Sequence, residues 1–264
     1  MTPGRRLAAL ATAVLMGGAA PLLPAEAVPL AGHHAMYNLK LDTDRDTTVQ
    51  AATGTMDYEM QDTCDGWATR QRLEMTVTSA DGQNIHTLSD YTTYETKNGR
   101  KMRFRMRQVT DEAVTSDIEG SAELGASGGT AHFTLPKVKT MSLPQGTLFP
   151  TQHTETILAG ASAGKKFLAL PLFDGTTEKG AQDSSIVVTK WGGPMPSKWP
   201  ALAALPGGNF HLAFFNRAAS ATQPDYEVSM HYYDNGVANN LAMNFGDFTM
   251  DGTIVSFKLL PSGC

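Results

Sequence analysis

The sequence predicts a mainly β protein in which more than ten antiparallel strands form a meander, interrupted by one substantial helix near mid-chain. Three observations carry this expectation. Many segments alternate apolar and polar residues with period two, the pattern of half-buried strands. Turn dipeptides such as Asp81-Gly82, Asn98-Gly99 and Asn235-Gly236 stand between those segments at hairpin spacing. The stretch 151–167, "TQHTETILAGASAGKKF", follows Pro150 and sets Ile157, Leu158 and Ala161 on one helical stripe, where a strand would alternate.

In chain order, residues 1–27 run from Arg5 and Arg6 through an apolar stretch to Ala25-Glu-Ala27, the layout of a cleaved secretory signal peptide. Gly17, Gly18 and Pro21 break the apolar run, which argues against a membrane anchor. Strands are expected at 35–43, 51–61, 67–78, 85–97, 101–109, 114–123 and 130–135, with Asp65-Gly66 turning into the third and the glycine-rich "ELGASGGT" (123–130) read as a loop. After the helix, whose Gly160 and Gly164 each weaken it by about 1 kcal/mol relative to alanine, strands are expected at 166–173, 184–190 and 209–215. The connection "WGGPMPSKWPALAALPGG" (191–208) is rich in proline and glycine and holds at most one short helical turn. Three more strands follow at 226–233, 237–248 and 253–260, the last two separated by a turn at Asp251-Gly252. The clearest hairpin joins "YEVSMHYY", with Tyr226, Val228, Met230 and Tyr232 on one face, to "VANNLAMNF", with Val237, Leu241, Met243 and Phe245 on one face.

Cleavage leaves about 237 residues, room for one large all-β domain or two small ones. One domain, 28–264, is expected, because strands resume after the connection with no change in composition. Loss of two arginines and one glutamate moves the formal charge from −5 to about −6, which argues against a general binder of nucleic acid or anionic membranes. No later segment approaches the roughly 20 apolar residues of a membrane helix. Export places the chain in an oxidising compartment, where Cys64 and Cys264 are expected to pair. Two free thiols are the alternative, and no Cys-x-x-Cys spacing favours a redox-active pair.

Motifs of reactive chemistry fail on context. Gly160-Ala-Ser162-Ala-Gly164 fits a nucleophile elbow, but that turn needs a strand before the serine and the preceding residues read as helix. Ser162 and Lys165 also fit Ser-x-x-Lys, without the Lys-Thr-Gly or Ser-Asp-Asn that complete that site. "GASAGKK" lacks the spacing of a phosphate loop. Of seven histidines only His33 and His34 are adjacent; on a strand they point to opposite faces, and so near the mature N-terminus a flexible tail is the plainer reading. His231 lies between Met230 and Tyr232 with no further ligand motif. No catalytic residue, metal or other cofactor is expected.

Two features are candidate binding surfaces. "KMRFRMR" (101–107) places Lys101, Arg103, Arg105 and Arg107 on one face of a strand, and Arg70 and Arg72 repeat the pattern. The plainer reading is a solvated face that also blunts edge pairing; the functional one is a stripe for an anionic partner, an acidic protein or an envelope polymer. A curved sheet around an apolar helix can also leave a cavity for a hydrophobic ligand, unless side chains fill it.

Several strings in order resemble the EipB-like family of alphaproteobacterial cell-envelope integrity proteins: "GTMDYEMQDTCDGWATRQR" (54–72), "FPTQHTETIL" (149–158), "LFDG" (172–175), "FHLAFFN" (210–216), "DYEVSMHYYDNGVANNLAMNFGDF" (225–248) and the terminal cysteine. The resemblance covers essentially the mature chain. It implies a periplasmic protein whose antiparallel strands wind into an open β-spiral or bracelet around a central helix, similar to half-barrel lipoprotein carriers. It implies a disulfide between Cys64 and Cys264, a role in envelope integrity and stress resistance without enzymatic activity, and a link to a periplasmic tetratricopeptide-repeat protein. The alternative function is carriage of a lipid or other hydrophobic ligand.

Overall fold

The computed structural model describes residues 29–42, 49–217 and 222–264; the signal-peptide segment 1–27 lies outside the described residues. The strands before the helix are β1 (His33–Leu41), β2 (Val49–Asp62), β3 (Gly66–Ser79), β4 (Asn84–Thr96), β5 (Lys101–Thr110), β6 (Ala113–Gly125), β7 (Gly128–Leu135) and β8 (Lys139–Leu143). Helix α1 (Pro150–Ser162) follows, then β9 (Phe167–Leu172), β10 (Gln182–Gly192), the short α2 (Pro200–Ala203), β11 (Gly207–Asn216), β12 (Tyr226–Tyr233), β13 (Ala238–Asn244) and β14 (Thr249–Leu259).

The fourteen strands make one antiparallel sheet in the order β8-β7-β6-β5-β4-β3-β2-β1-β14-β13-β12-β11-β10-β9. The chain meanders outward from β1 to β8, crosses through α1, and meanders back until β14 pairs with β1, His33 opposite Leu259. Strand twist curls so wide a sheet, and its two edges meet in one parallel bridge, Leu148 with Leu172. There Leu148 N–H donates to Pro171 O (2.8 Å) and Phe173 N–H donates to Leu148 O (2.9 Å). The result is an open barrel in which β1 and β14 are zipped, while β8 and β9 form the two edges of the sheet and the segment after β8 bridges to β9 at Leu148 and Leu172.

Helix α1 lies within the curl. Pro150 occupies its first turn, where a missing N–H costs nothing, and Ile157, Leu158 and Ala161 are buried. A Schellman ending stops it: Gly164, at φ +81°, donates to Ala161 O and Lys165 N–H reaches back to Gly160 O, both at 2.9 Å. Gly160 admits strand β9, since a Cβ there would lie 2.7 Å from Leu168 Cδ2. The small residues of 160–164 thus have packing and capping roles, and Ser162 ends a helix where an elbow would require a strand before it.

The core has two parts. The larger joins β1, β2 and β10 to β14 with α1 and Leu202 of α2; the smaller joins β5 to β8 with Phe149 and Phe173. In the smaller part the Phe173 ring meets Phe104, Phe133 and Phe149 edge-on at 5.4, 6.2 and 6.5 Å between centroids. These contacts fasten the β5–β8 edge of the sheet to the residues that flank α1 and β9.

Several local expectations need correction. The turn before β14 is at Phe245 to Phe248, with Gly246 at φ +93° and Phe245 N–H donating to Phe248 O. Asp251 and Gly252 lie within β14, and Gly252 is required because a Cβ there would sit 2.8 Å from Leu39 Cδ2. Strand β8, only five residues long, has too few alternations to be read. Residues 123–130 are the tips of a hairpin, Gly125 opposite Gly128, and not an extended loop. The helix ends at Ser162, five residues before the end of the stretch 151–167, because β9 begins at Phe167. His33 and His34 belong to β1, with His33 buried, so no flexible tail includes them.

Candidate functional site

A cavity of about 340 Å³ opens inside the curl beneath the first turn of α1. Its volume is at the lower end of the range for small-molecule sites. Period-two alternation turns every second side chain of each strand inward, and the two facing walls differ in chemistry. Strands β12 and β13 present Val228, Met230, Leu241 and Met243 beside the rings of Tyr226 and Tyr232. Strands β3 and β4 present Thr69, Gln71, Tyr91 and Thr93, while Tyr58 and His33 stand between the walls on β2 and β1.

Burial sets the charge state of these groups. Desolvation raises the phenols of Tyr58, Tyr91 and Tyr232 and lowers His33, so all four stay neutral. His33 donates Nδ1–H to Ala31 O at 2.8 Å, which leaves Nε2 as an acceptor. Tyr37 donates to Ala238 O (2.7 Å), two strands along the sheet from β1, and Tyr91 donates to Asp174 O, tying β4 to the segment after β9.

Behind the wall lies the carboxyl of Glu95. Glu95, 1% exposed, accepts Thr151 N–H at 3.0 Å and Thr151 Oγ–H at 2.9 Å, capping α1 from strand β4. Desolvation pushes its carboxyl up to about 7, opposed by the two Thr151 hydrogen bonds and aided by the charge of Glu155. That value lies above the unfolded one near 4.5. Stability from Glu95 is therefore fully present below about pH 4.5 and lost as pH rises through about 7, a change of about 3 kcal/mol at most. Glu95→Gln, neutral throughout, is expected to flatten this part of the dependence. Urea midpoints of both proteins from pH 4.5 to 8 measure it, and parallel curves would count against the assignment.

The structure joins Cys64 to Cys264, with Cα atoms 5.3 Å apart and 200 residues between them in sequence. The left-handed residue of that turn is Cys64, at φ +71°, and not Gly66. Gly66 instead opens β3 against Tyr94, whose ring would be 2.5 Å from a Cβ there. Gly263 N–H donates to Asp62 O (3.0 Å), and Asp62 pairs with Lys97 at 2.9 Å, whose ammonium sits 3.4 Å from the centroid of Trp67. The chain's end is thus held by a disulfide and hydrogen bonds on one turn.

The basic row is on the opposite face from the cavity. Lys101, Arg103 and Arg105 are exposed while Met102 and Phe104 are buried. Neighbouring strands supply carboxylates: Arg72 pairs with Asp90, Arg70 approaches Asp57, Lys101 pairs with Glu123, and Arg105 pairs with Asp117 and Glu119. Arg103 and Arg107 make no ion pair among the described residues. Reading outward charges therefore found the row but not its counter-charges. It also missed the cavity residues, whose signal was available: Thr69, Gln71, Tyr91 and Thr93 are polar or amphipathic at inward positions of two successive strands.

Among the described residues no three His, Cys, Asp or Glu side chains gather in a metal-holding group, and no helix is long and apolar enough to cross a membrane. The geometry defines a class: an open spiral β-barrel wound about a helix, enclosing a two-walled cavity. The chain belongs to the EipB-like family, which it matches over residues 24–261. It is similar to the cell envelope integrity protein EipB of Brucella abortus (strain 2308), with 28% identity over 254 residues, 90% of this chain and 88% of that protein. It is also similar to the crystal structure of a β-barrel-like protein of the domain of unknown function DUF1849 from Brucella abortus. That comparison has a TM-score of 0.81 at 28% identity and covers 89% of this chain and all of the other.

Proposed function

We propose that this chain is a non-enzymatic periplasmic protein that supports the integrity of the cell envelope by holding a hydrophobic envelope component inside the spiral. The cavity of about 340 Å³, with its Val228, Met230, Leu241 and Met243 wall, carries this reading. An apolar surface so placed gains from covering by a ligand. The name of the Brucella relative supports the envelope role. The periplasmic tetratricopeptide-repeat partner implied by the resemblance belongs to the same proposal. The basic row contributes little to it, since exposed ion pairs with neighbouring strands already occupy most of its charges.

The test is native mass spectrometry of protein purified from its own periplasm, beside the variant Val228→Phe, which fills the apolar wall. The expected result is a co-purifying ligand on the natural chain that is lost from a variant of unchanged circular dichroism. A natural chain that carries nothing, together with a variant that sustains growth under envelope stress as well as the natural one, would overturn the proposal.

A further inference from the structure

Resting on that reading, the two walls of the cavity restrict what it can hold. No lysine, arginine, aspartate or glutamate is among the described residues that line it. Hydrogen-bonding capacity on the β3 and β4 side comes from neutral amide, hydroxyl and phenol groups, of which Gln71, Thr93 and Tyr91 are the central members. Two carboxyl groups stand close to that wall: Glu95, one hydrogen bond behind Thr151, whose field reaches both Tyr58 and Tyr91, and Asp174, whose field also reaches Tyr91.

An anionic head entering this space would leave water, find no cation, and approach a negative charge. Each of these steps is unfavourable in a low-dielectric interior. A neutral head meets none of these penalties: Tyr58 can donate, His33 Nε2 can accept, and Gln71 can do both. A chain attached to it would lie on the methionine-rich β12–β13 wall, where flexible thioethers adapt to varied apolar shapes. We infer that the cavity takes an uncharged amphiphile, a hydrocarbon portion ending in a hydroxyl, ester or amide, and discriminates against carboxylate- and phosphate-headed molecules of equal chain length.

The experiment compares 1-dodecanoylglycerol, dodecanoate and dodecyl phosphate at pH 8, each below its critical micelle concentration, by calorimetric titration of the full mature chain freed of co-purified material. The monoglyceride is expected to bind at least about thirtyfold more tightly than either anion. Hydrogen exchange should slow at amides of β3, β12 and β13 when it binds. Equal or tighter binding of the anions would overturn the inference while leaving the ligand-holding function standing. Binding of none of the three would overturn both, and protection confined to the outer face would overturn the placement in the cavity.

Discussion

Phe173→Ala is expected to destabilise the protein by about 3–5 kcal/mol, the largest effect of any single substitution considered. The ring is fully buried and meets three other phenylalanines, so alanine removes its transfer free energy and leaves a cavity that rigid neighbours fill poorly. Its location matters as much as its burial. The segment after β8 bridges to β9 through Leu148 and Leu172, beside Phe173 in the chain. Gly175, at φ +71°, passes so close to Phe104 that a Cβ would be 2.4 Å from its ring. The string Leu172 to Gly175 is thus the clasp that keeps the curl shut. Urea unfolding should show the loss, with Tm lower by roughly 10 °C. Hydrogen exchange should rise first in β8 and β9. A loss below about 1 kcal/mol would mean that the clasp is not a stability determinant.

Removing the disulfide with Cys64→Ser and Cys264→Ser together is expected to cost about 2–5 kcal/mol. The bridge spans 200 residues, and in the chain-entropy account a closed loop of that size restricts the unfolded ensemble by about 5 kcal/mol at most, less any residual structure. In the folded state the same bridge holds a terminus that would otherwise fray, so exchange should rise in residues 257–264 more than in β3. Guanidinium unfolding with and without reductant gives the comparison for the natural chain. Identical midpoints would show that hydrogen bonds such as Gly263 to Asp62 suffice alone.

Much of this architecture is legible in the residues. Alternation and turn residues place thirteen of the fourteen strands within a few positions, because a half-buried strand must alternate whatever it pairs with. Pro150 and the stripe through Ile157 and Ala161 mark α1 for a similarly local reason. Where local reading failed, a distant contact decided. Gly252 resembles a turn glycine, but it is glycine because Leu39, more than two hundred positions earlier, packs on it. The buried Glu95 reads as one more polar residue on a strand until Thr151 is brought to it from α1.

The sequence by itself determined the β meander, the single crossing helix, the presence of two cysteines available for pairing in an oxidising compartment, and the family through strings in a fixed order. Only the tertiary structure decided that β1 zips to β14, that the edges meet at Leu148 and Leu172, and that a cavity remains between unlike walls. The physical reason lies in the period of two. It divides each strand into two faces without saying which is inward, and on β3 the inward Thr69 and Gln71 and the outward Arg70 and Arg72 are all polar. The choice between those faces depends on curvature summed over the whole sheet, a property no single segment carries.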